Sequence, residues 1–483
     1  MTRISWIPAC CLALALAGCR HPVAYVRPAV PAPPANAPGD TYKELGGWKR
    51  AQPAETALRG RWWELFGDAE LNALEEQVDV SNQDLKAAEA RFRQARAMIR
   101  YNAAGELPTV TVAPGIASVR DSNHAPYASA NRVATGDFLL PLDVSYEPDL
   151  WGRVRQQVAL SREQAQAGAA DVESVRLILH AELAFDYFEL CNADAQKRLL
   201  DATLETYREA LRVTTNRFAE GAVPKTDVAQ ARTQLESASV TATDITVKRA
   251  QFEHAIAVLT GKAPSALGIG ANATGVTPPA IPVGLPSELL ERRPDIAAAE
   301  RRVAAANEEI GLARAAYYPT LTLAAALGLE GHSLTSWLTW PSRFWAVGPA
   351  LAETVFDGGR RRATSEAALA NYDATVAVYR QTALAAFQQV EDNLVALRTL
   401  EVEQQQQRQA TASARESLDL VTNRYKEGAD PYLQVLAAQS VALANERNEL
   451  DILRRRMDAS VLLIKALGGG WTAASLPRQA DLR

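Results

Sequence analysis

The chain has 483 residues, 48% hydrophobic and 22% charged, and 51 Lys and Arg against 56 Asp and Glu leave a net charge of −5. That balance excludes a basic nucleic-acid binder, and four Cys, five His and three Met give little material for a metal site, a redox centre or a disulfide scaffold. An aromatic content of 7%, beside long Ala-rich stretches, favours close-packed helices over a thick aromatic core.

Residues 1–18 read as a signal peptide, with Arg3 as the charged start and an apolar run from Ile7 to Gly18 that is too short to span a membrane. The run ends in Leu16, Ala17, Gly18 and Cys19, which resembles a lipobox and marks Cys19 as a lipidated N-terminus. Cys10 and Cys11 would leave with the signal, so Cys191 remains as a lone thiol, read as a small apolar packing residue. Pro22, Pro28, Pro31, Pro33, Pro34 and Pro38 predict an extended tether over 19–40, in preference to any packed element. No later stretch offers 18 apolar residues in a row, so any membrane crossing has to be made by strands closed into a barrel.

Past a segment at 41–66, the chain repeats itself. Asp84, Leu85, Ala87, Ala88 and Glu89 match Asp295, Ile296, Ala298, Ala299 and Glu300, 211 positions on, and Pro108 to Val112 match Pro319 to Leu323 at the same shift. Farther along the shift is 207, with Thr215, Asn216, Arg217, Phe218 and Gly221 over Thr422, Asn423, Arg424, Tyr425 and Gly428. The boundaries that follow are a first repeat at 67–262, a linker at 263–292, a second repeat at 293–468 and a tail at 469–483.

Each repeat reads as helix, strand, loop, strand, very long helix, tight turn, helix. The first holds helices at roughly 68–104, 152–218 and 224–260. Val154, Val158, Ser161, Ala165, Gly168, Val172, Val175 and Leu179 step by 4 and 3 in coiled-coil fashion with small residues in the seam. The middle helix would be about 100 Å long, beyond what a compact globule holds. In the strands, Phe138, Leu140, Leu142, Val144 and Tyr146 alternate with Asp137, Asp143, Ser145 and Glu147, and Leu321, Leu323, Leu327 and Leu329 alternate with Thr320, Thr322, Ala324, Ala326 and Gly328. Runs of about eleven residues, bulky on one side and small or acidic on the other, fit an outer-membrane barrel with a wet lumen, where Asp143 and Glu147 are candidate lining residues. Four strands cannot close a barrel with their edges in lipid, so the chain must oligomerise.

These residues resemble the outer-membrane efflux factors of the TolC and OprM type, in the lipid-anchored, NodT-like group. The resemblance runs from about Tyr42 to Gly468. It rests on Cys19, on Leu289, Leu290, Glu291, Arg292, Arg293, Pro294, Asp295 and Ile296, and on Asp149, Leu150, Trp151, Gly152 and Arg153 paired with Phe356, Asp357, Gly358, Gly359 and Arg360. It implies a mainly α fold with a transmembrane β-barrel: a homotrimeric 12-stranded outer-membrane barrel, continuous with a periplasmic α-helical barrel, with two repeats per chain. It implies the exit duct of a tripartite efflux system, served by a periplasmic adaptor (a membrane fusion protein) and an inner-membrane pump of the RND type, exporting small molecules such as drugs without a cofactor or nucleic acid. It places the periplasmic gate at the two helix turns. Gly221 and Gly428 mark these turns and the adaptor contact, Arg424 and Tyr425 are gate residues, and Asp227 is an acidic partner that closes on either. Where many members carry an acidic pore ring this sequence has Gln434 and Ala437, with Asp430 as the nearest substitute.

Catalysis finds no footing. Gly331, His332, Ser333, Leu334 and Thr335 lack the second Gly of a nucleophile elbow, Gly261 and Lys262 lack the upstream Gly of a phosphate loop, and the five His show no metal spacing. Within the channel class the runners-up are a type I protein-secretion conduit and a metal-efflux channel. Outside it stands a periplasmic coiled-coil adaptor lipoprotein, which has no need of duplicated strand hairpins.

Overall fold

The structure, a computed structural model, describes residues 25–30, 60–120, 122, 134–271, 278–281 and 289–482. The signal peptide, Cys19 and residues 41–59 lie outside the described residues.

In the first half, α1 (Ala69–Ser81) and α2 (Gln83–Ala103) lead into the strands, and α3 (Arg153–Ala219) and α4 (Lys225–Leu259) follow them. The second half repeats this with α5 (Pro294–Ala315), then α6 (Arg360–Lys426) and α7 (Tyr432–Ala466). The long helices have 67 residues in both halves and their return helices 35, each pair at the 207 shift read from sequence. At 1.5 Å per residue α3 and α6 are each about 100 Å rods. Of the eight seam positions in α3, six are buried and Gly168 and Val175 are half-buried.

One expected helix is two. The stretch 68–104 breaks at Asn82, whose backbone is extended (φ −61°, ψ 131°) and whose side chain accepts from the N–H groups of Asp84 and Leu85 at 2.9 and 3.0 Å. Asn82 also donates to the carbonyl of Leu259 at 2.9 Å, satisfying the last turn of α4. The second repeat does the same with other chemistry: Arg293, just before α5, donates to the carbonyl of Ala466 at 3.0 Å at the end of α7. The tether expected over 19–40 needs correction at residues 25–30, its remainder lying outside the described residues. Residues 25–30 are seated on the helices: Tyr25 donates to Glu300 at 2.8 Å, Arg27 to the Tyr379 hydroxyl at 3.2 Å, and Arg380 to the carbonyl of Ala29 at 3.1 Å. The rings and aliphatic groups of Tyr25 and Val30 pack on the main core, which outweighs the proline preference for a free leash.

The sheet is one antiparallel meander. β1 (Thr109–Val112) and β2 (Gly115–Val119) both pair β3 (Thr135–Tyr146), β3 pairs β4 (Thr320–Gly331), and β4 pairs β5 (Arg343–Ala352). The partner numbering runs on unbroken from β1 to β2, so they form one run interrupted at Ala113 and Pro114, where a residue without an N–H drops out of the ladder. Directly paired residues share a face. One face therefore gathers Val110, Val112, Ile116, Leu140, Leu142, Leu323, Leu327, Trp345, Val347 and Leu351, and the other gathers Thr109, Thr111, Asp143, Ser145, Thr322, Ala324 and Ala326. Most of the apolar face is open among the described residues: Trp345 is 75% exposed and Val347 72%.

The main core sits where α1, α3, α5, α6 and α7 meet below the sheet, around Trp62, Leu71, Tyr187, Tyr379, Val390 and Ile464. Farther along, Leu200, Leu204 and Tyr207 of α3 pack on Ala238, Ala242 and Ile245 of α4. No described helix is long and apolar enough to cross a membrane.

Candidate functional site

The strand-to-helix joints explain the quoted motifs. Asp149 accepts from the backbone N–H of Val154 at 3.1 Å and of Arg155 at 3.0 Å, and Asp357 accepts from Gly359 and Arg361 at 3.0 and 3.1 Å, so each carboxylate neutralises the open N-terminus of a long helix. Burial pushes Asp149 up, but these N–H groups and the Arg155 guanidinium bring it below the usual carboxylate range. Trp151 stacks on Tyr318 at 5.0 Å and donates to the carbonyl of Pro319 at 2.7 Å, fixing the start of α3 to the start of β4.

At the far end each long helix closes in the same way. Gly221 (φ 75°) and Gly428 (φ 80°) take the left-handed conformation that a Cβ would disfavour, and the next N–H bonds back into the last turn, Ala222 to Arg217 at 2.8 Å and Ala429 to Arg424 at 2.9 Å. Pro224 and Pro431 then start the return helices from extended backbone.

Around these turns the structure brings some expected residues together and leaves others apart. Arg424 pairs with Asp430 of its own turn, at 2.9 and 3.0 Å. Tyr425 is 6% exposed and packs edge-on to Tyr432 at 5.5 Å, in a cluster completed by Ala231 and Val435. Burial first, then the neighbouring Tyr425, push the Tyr432 phenol up to about 12. Asp227 is half-buried and forms no ion pair among the described residues, so within one chain the expected closure of Asp227 on Arg424 or Tyr425 is absent. Arg424 finds a carboxylate six residues on, within reach of its own turn.

Sequence reasoning missed a charged residue that joins the hairpins. Arg217 of the first donates to the carbonyl of Tyr425 in the second at 2.7 Å, with its guanidinium 4.7 Å from the Tyr425 ring centroid. The signal was present, since Arg217 is the counterpart of Arg424 at the 207 shift.

Along the pore-side candidates, Asp143 lies on the polar face opposite Thr111 and Ala326. Glu147, just past β3, is neutralised by Arg153 at 2.7 and 3.0 Å. Gln434 and Ala437 are both exposed, three residues apart on α7.

A buried charge cluster lies near the main core. His180, 3% exposed, bonds Glu75 at 2.6 Å and stacks on Trp63 at 4.4 Å, with Asp79 at 3.4 Å. Burial opposes the His180 charge, but the bonds to Asp79 and Glu75 raise its pKa to about 9, while burial pushes Glu75 up to about 7. Arg176 closes the cluster onto Asp79 at 3.0 Å. Among the described residues no group of three His, Cys, Asp or Glu could hold a metal ion.

Two stretches, residues 74–262 and 285–469, match the family profile described as outer membrane efflux protein, and together they cover most of the chain. The chain belongs to the outer membrane efflux protein family. Relatives within it include the toluene efflux pump outer membrane protein TtgF of Pseudomonas putida, 32% identical with 95% of this chain and 96% of that protein covered. The pyoverdine export outer membrane protein OpmQ of Pseudomonas aeruginosa is likewise 32% identical, over 85% and 87%. Among solved structures, the CmeC outer membrane channel of Campylobacter jejuni superposes with a TM-score of 0.84 at 25% identity, covering 94% of this chain and 97% of that one. This outer membrane efflux protein therefore has the fold of these channels, resides in the outer membrane, and works in efflux through a helical and β-sheet duct. Its family and relatives are channel proteins, not enzymes.

Proposed function

We propose that three copies share one pore, each giving four strand runs to a twelve-stranded barrel, and that this pore is the exit duct of a tripartite efflux assembly with a periplasmic adaptor and an RND-type pump. The supporting observation is the sheet itself: its apolar face is exposed, and the β1–β2 run and β5 have unpaired edges that lipid does not tolerate. Two copies would give about eight strands, an interior filled by side chains, whereas a conduit needs more. Equal identity to a toluene exporter and a pyoverdine exporter fits selection of the cargo by the pump and not by this duct. Cys19 carries the acyl anchor, and Asp143 tunes ion preference in the lumen.

The tips form the gate. In this reading Arg424 with Asp430 shapes the inner turn, Arg217 binds the inner hairpin to the outer through Tyr425, and Asp227 meets Arg424 or Tyr425 of a neighbouring protomer. The purified protein should run as a heat-modifiable trimer in detergent. In planar bilayers Arg217→Ala, Arg424→Ala and Asp227→Ala should each raise channel conductance or opening frequency. Parental conductance in all three would remove the gate from this site.

A further inference from the structure

The hairpin between β4 and β5 ends in residues 332–342, at the end of the sheet away from the helices. Its course is set by one close approach. Gly331 pairs with Phe138 and so points to the apolar face, and a Cβ there would stand 2.9 Å from the backbone Cα of Trp337. The Trp337 ring lies against Phe138 on that same face, centroids 5.6 Å apart. The tip is thus folded down over the lipid-facing side of the barrel, away from the pore axis.

Several of its polar groups bond one another, while His332, Thr335 and Thr339 are exposed. Ser333 and Ser336 bond each other at 2.8 Å, Ser342 donates to the Ser336 carbonyl at 2.7 Å, and Thr339 approaches Ser342 at 3.3 Å. Arg343 donates to the Trp340 carbonyl at 3.0 Å with its guanidinium 4.6 Å from the Trp340 ring centroid. Among the exposed residues of the tip the large side chains Leu334, Leu338 and Trp340 stand out, the last 77% exposed. A loop that exposes two Leu and a Trp beside short hydroxyls, a His and an Arg has the amphipathic make-up of a membrane interface, with large apolar groups for acyl chains and polar groups for headgroups.

Height agrees. The twelve residues of β4, tilted as barrel strands are, rise about 30 Å, enough to cross an apolar band of about 25 Å, so the tip emerges at the outer interface. We infer that the β4–β5 tip is a lipid-anchoring foot, with Leu334, Leu338 and Trp340 immersed in the outer leaflet and Arg343 at headgroup level. The foot prolongs the apolar face of Trp345 and Val347 and holds the hairpin clear of the pore mouth. The inference rests on the barrel reading above.

To test it, the full chain carrying Cys191→Ala and one of Leu338→Cys, Leu334→Cys, Val347→Cys or Lys225→Cys is nitroxide-labelled and reconstituted in phosphatidylethanolamine–phosphatidylglycerol vesicles. Collision rates with oxygen and with a water-soluble nickel complex are then compared. Labels at 338 and 334 should favour oxygen severalfold, as the label at 347 does, with 225 as the aqueous reference. Adding Gly331→Val should shift the 338 label toward the aqueous value. Aqueous behaviour at 338 and 334 with 347 in lipid would overturn the foot alone, as would mutual broadening of the 338 labels across a pore mouth. Aqueous behaviour at 347 as well would overturn the barrel reading.

Discussion

Buried His180 shows what a single side chain contributes here. A His whose folded pKa is raised adds stability that is complete below its ordinary value of about 6.5 and fades as the pH climbs through the folded value, about 9. Glu75, held up at about 7, acts at lower pH, so the His180 effect is read above neutrality. The thermal midpoint of the parent should fall between about pH 7 and 9, and His180→Gln should flatten that fall. Equal slopes in circular-dichroism melts would refute the ionic role. Cys191 behaves as its sequence setting foretold: it packs at the edge of the main core, and burial pushes its thiol up to about 12. The tip residues were only partly readable. That Tyr425 would be buried and Arg424 paired depends on the rotational phase of two hairpins about their common seam, and a one-residue error in phase turns a side chain by about 100°.

Elements were the most legible level, because a duplicated pattern checks itself. The long helices and their returns fall within a residue of their expected ends. The break at Asn82 escaped because neither Gly nor Pro marks it and Ala-rich periodicity runs through. The repeat held the clue: at the 211 shift Gln83 overlies Pro294, the first residue of α5. Asn82→Ala removes a buried cap and strands the Leu259 carbonyl, so it should cost about 1–2 kcal/mol in urea unfolding, whereas Gln83→Ala on the exposed side should be near neutral. The divided first strand was hidden for the opposite reason, since Pro114 reads as a strand end although the pairing resumes beyond it.

For the molecule as a whole, the sheet's two faces carry the membrane assignment. Leu327→Arg, mid-strand on the apolar face, should lower stability in lipid by about 2–4 kcal/mol, while Thr322→Arg on the opposite face should insert almost normally. Folding yield into vesicles separates the two, and equal yields would contradict the orientation. The matched lengths of the repeats carry one more implication. Rods of 67 residues and returns of 35 in both halves bring every tip to a common plane. Reach across the compartment is therefore a gauge that evolution can reset only in both halves together. Keeping the seam in phase restricts each reset to whole heptads, steps of about 10 Å. Kindred chains from cells with a wider gap between membranes should differ by the same multiple of seven in α3 and α6.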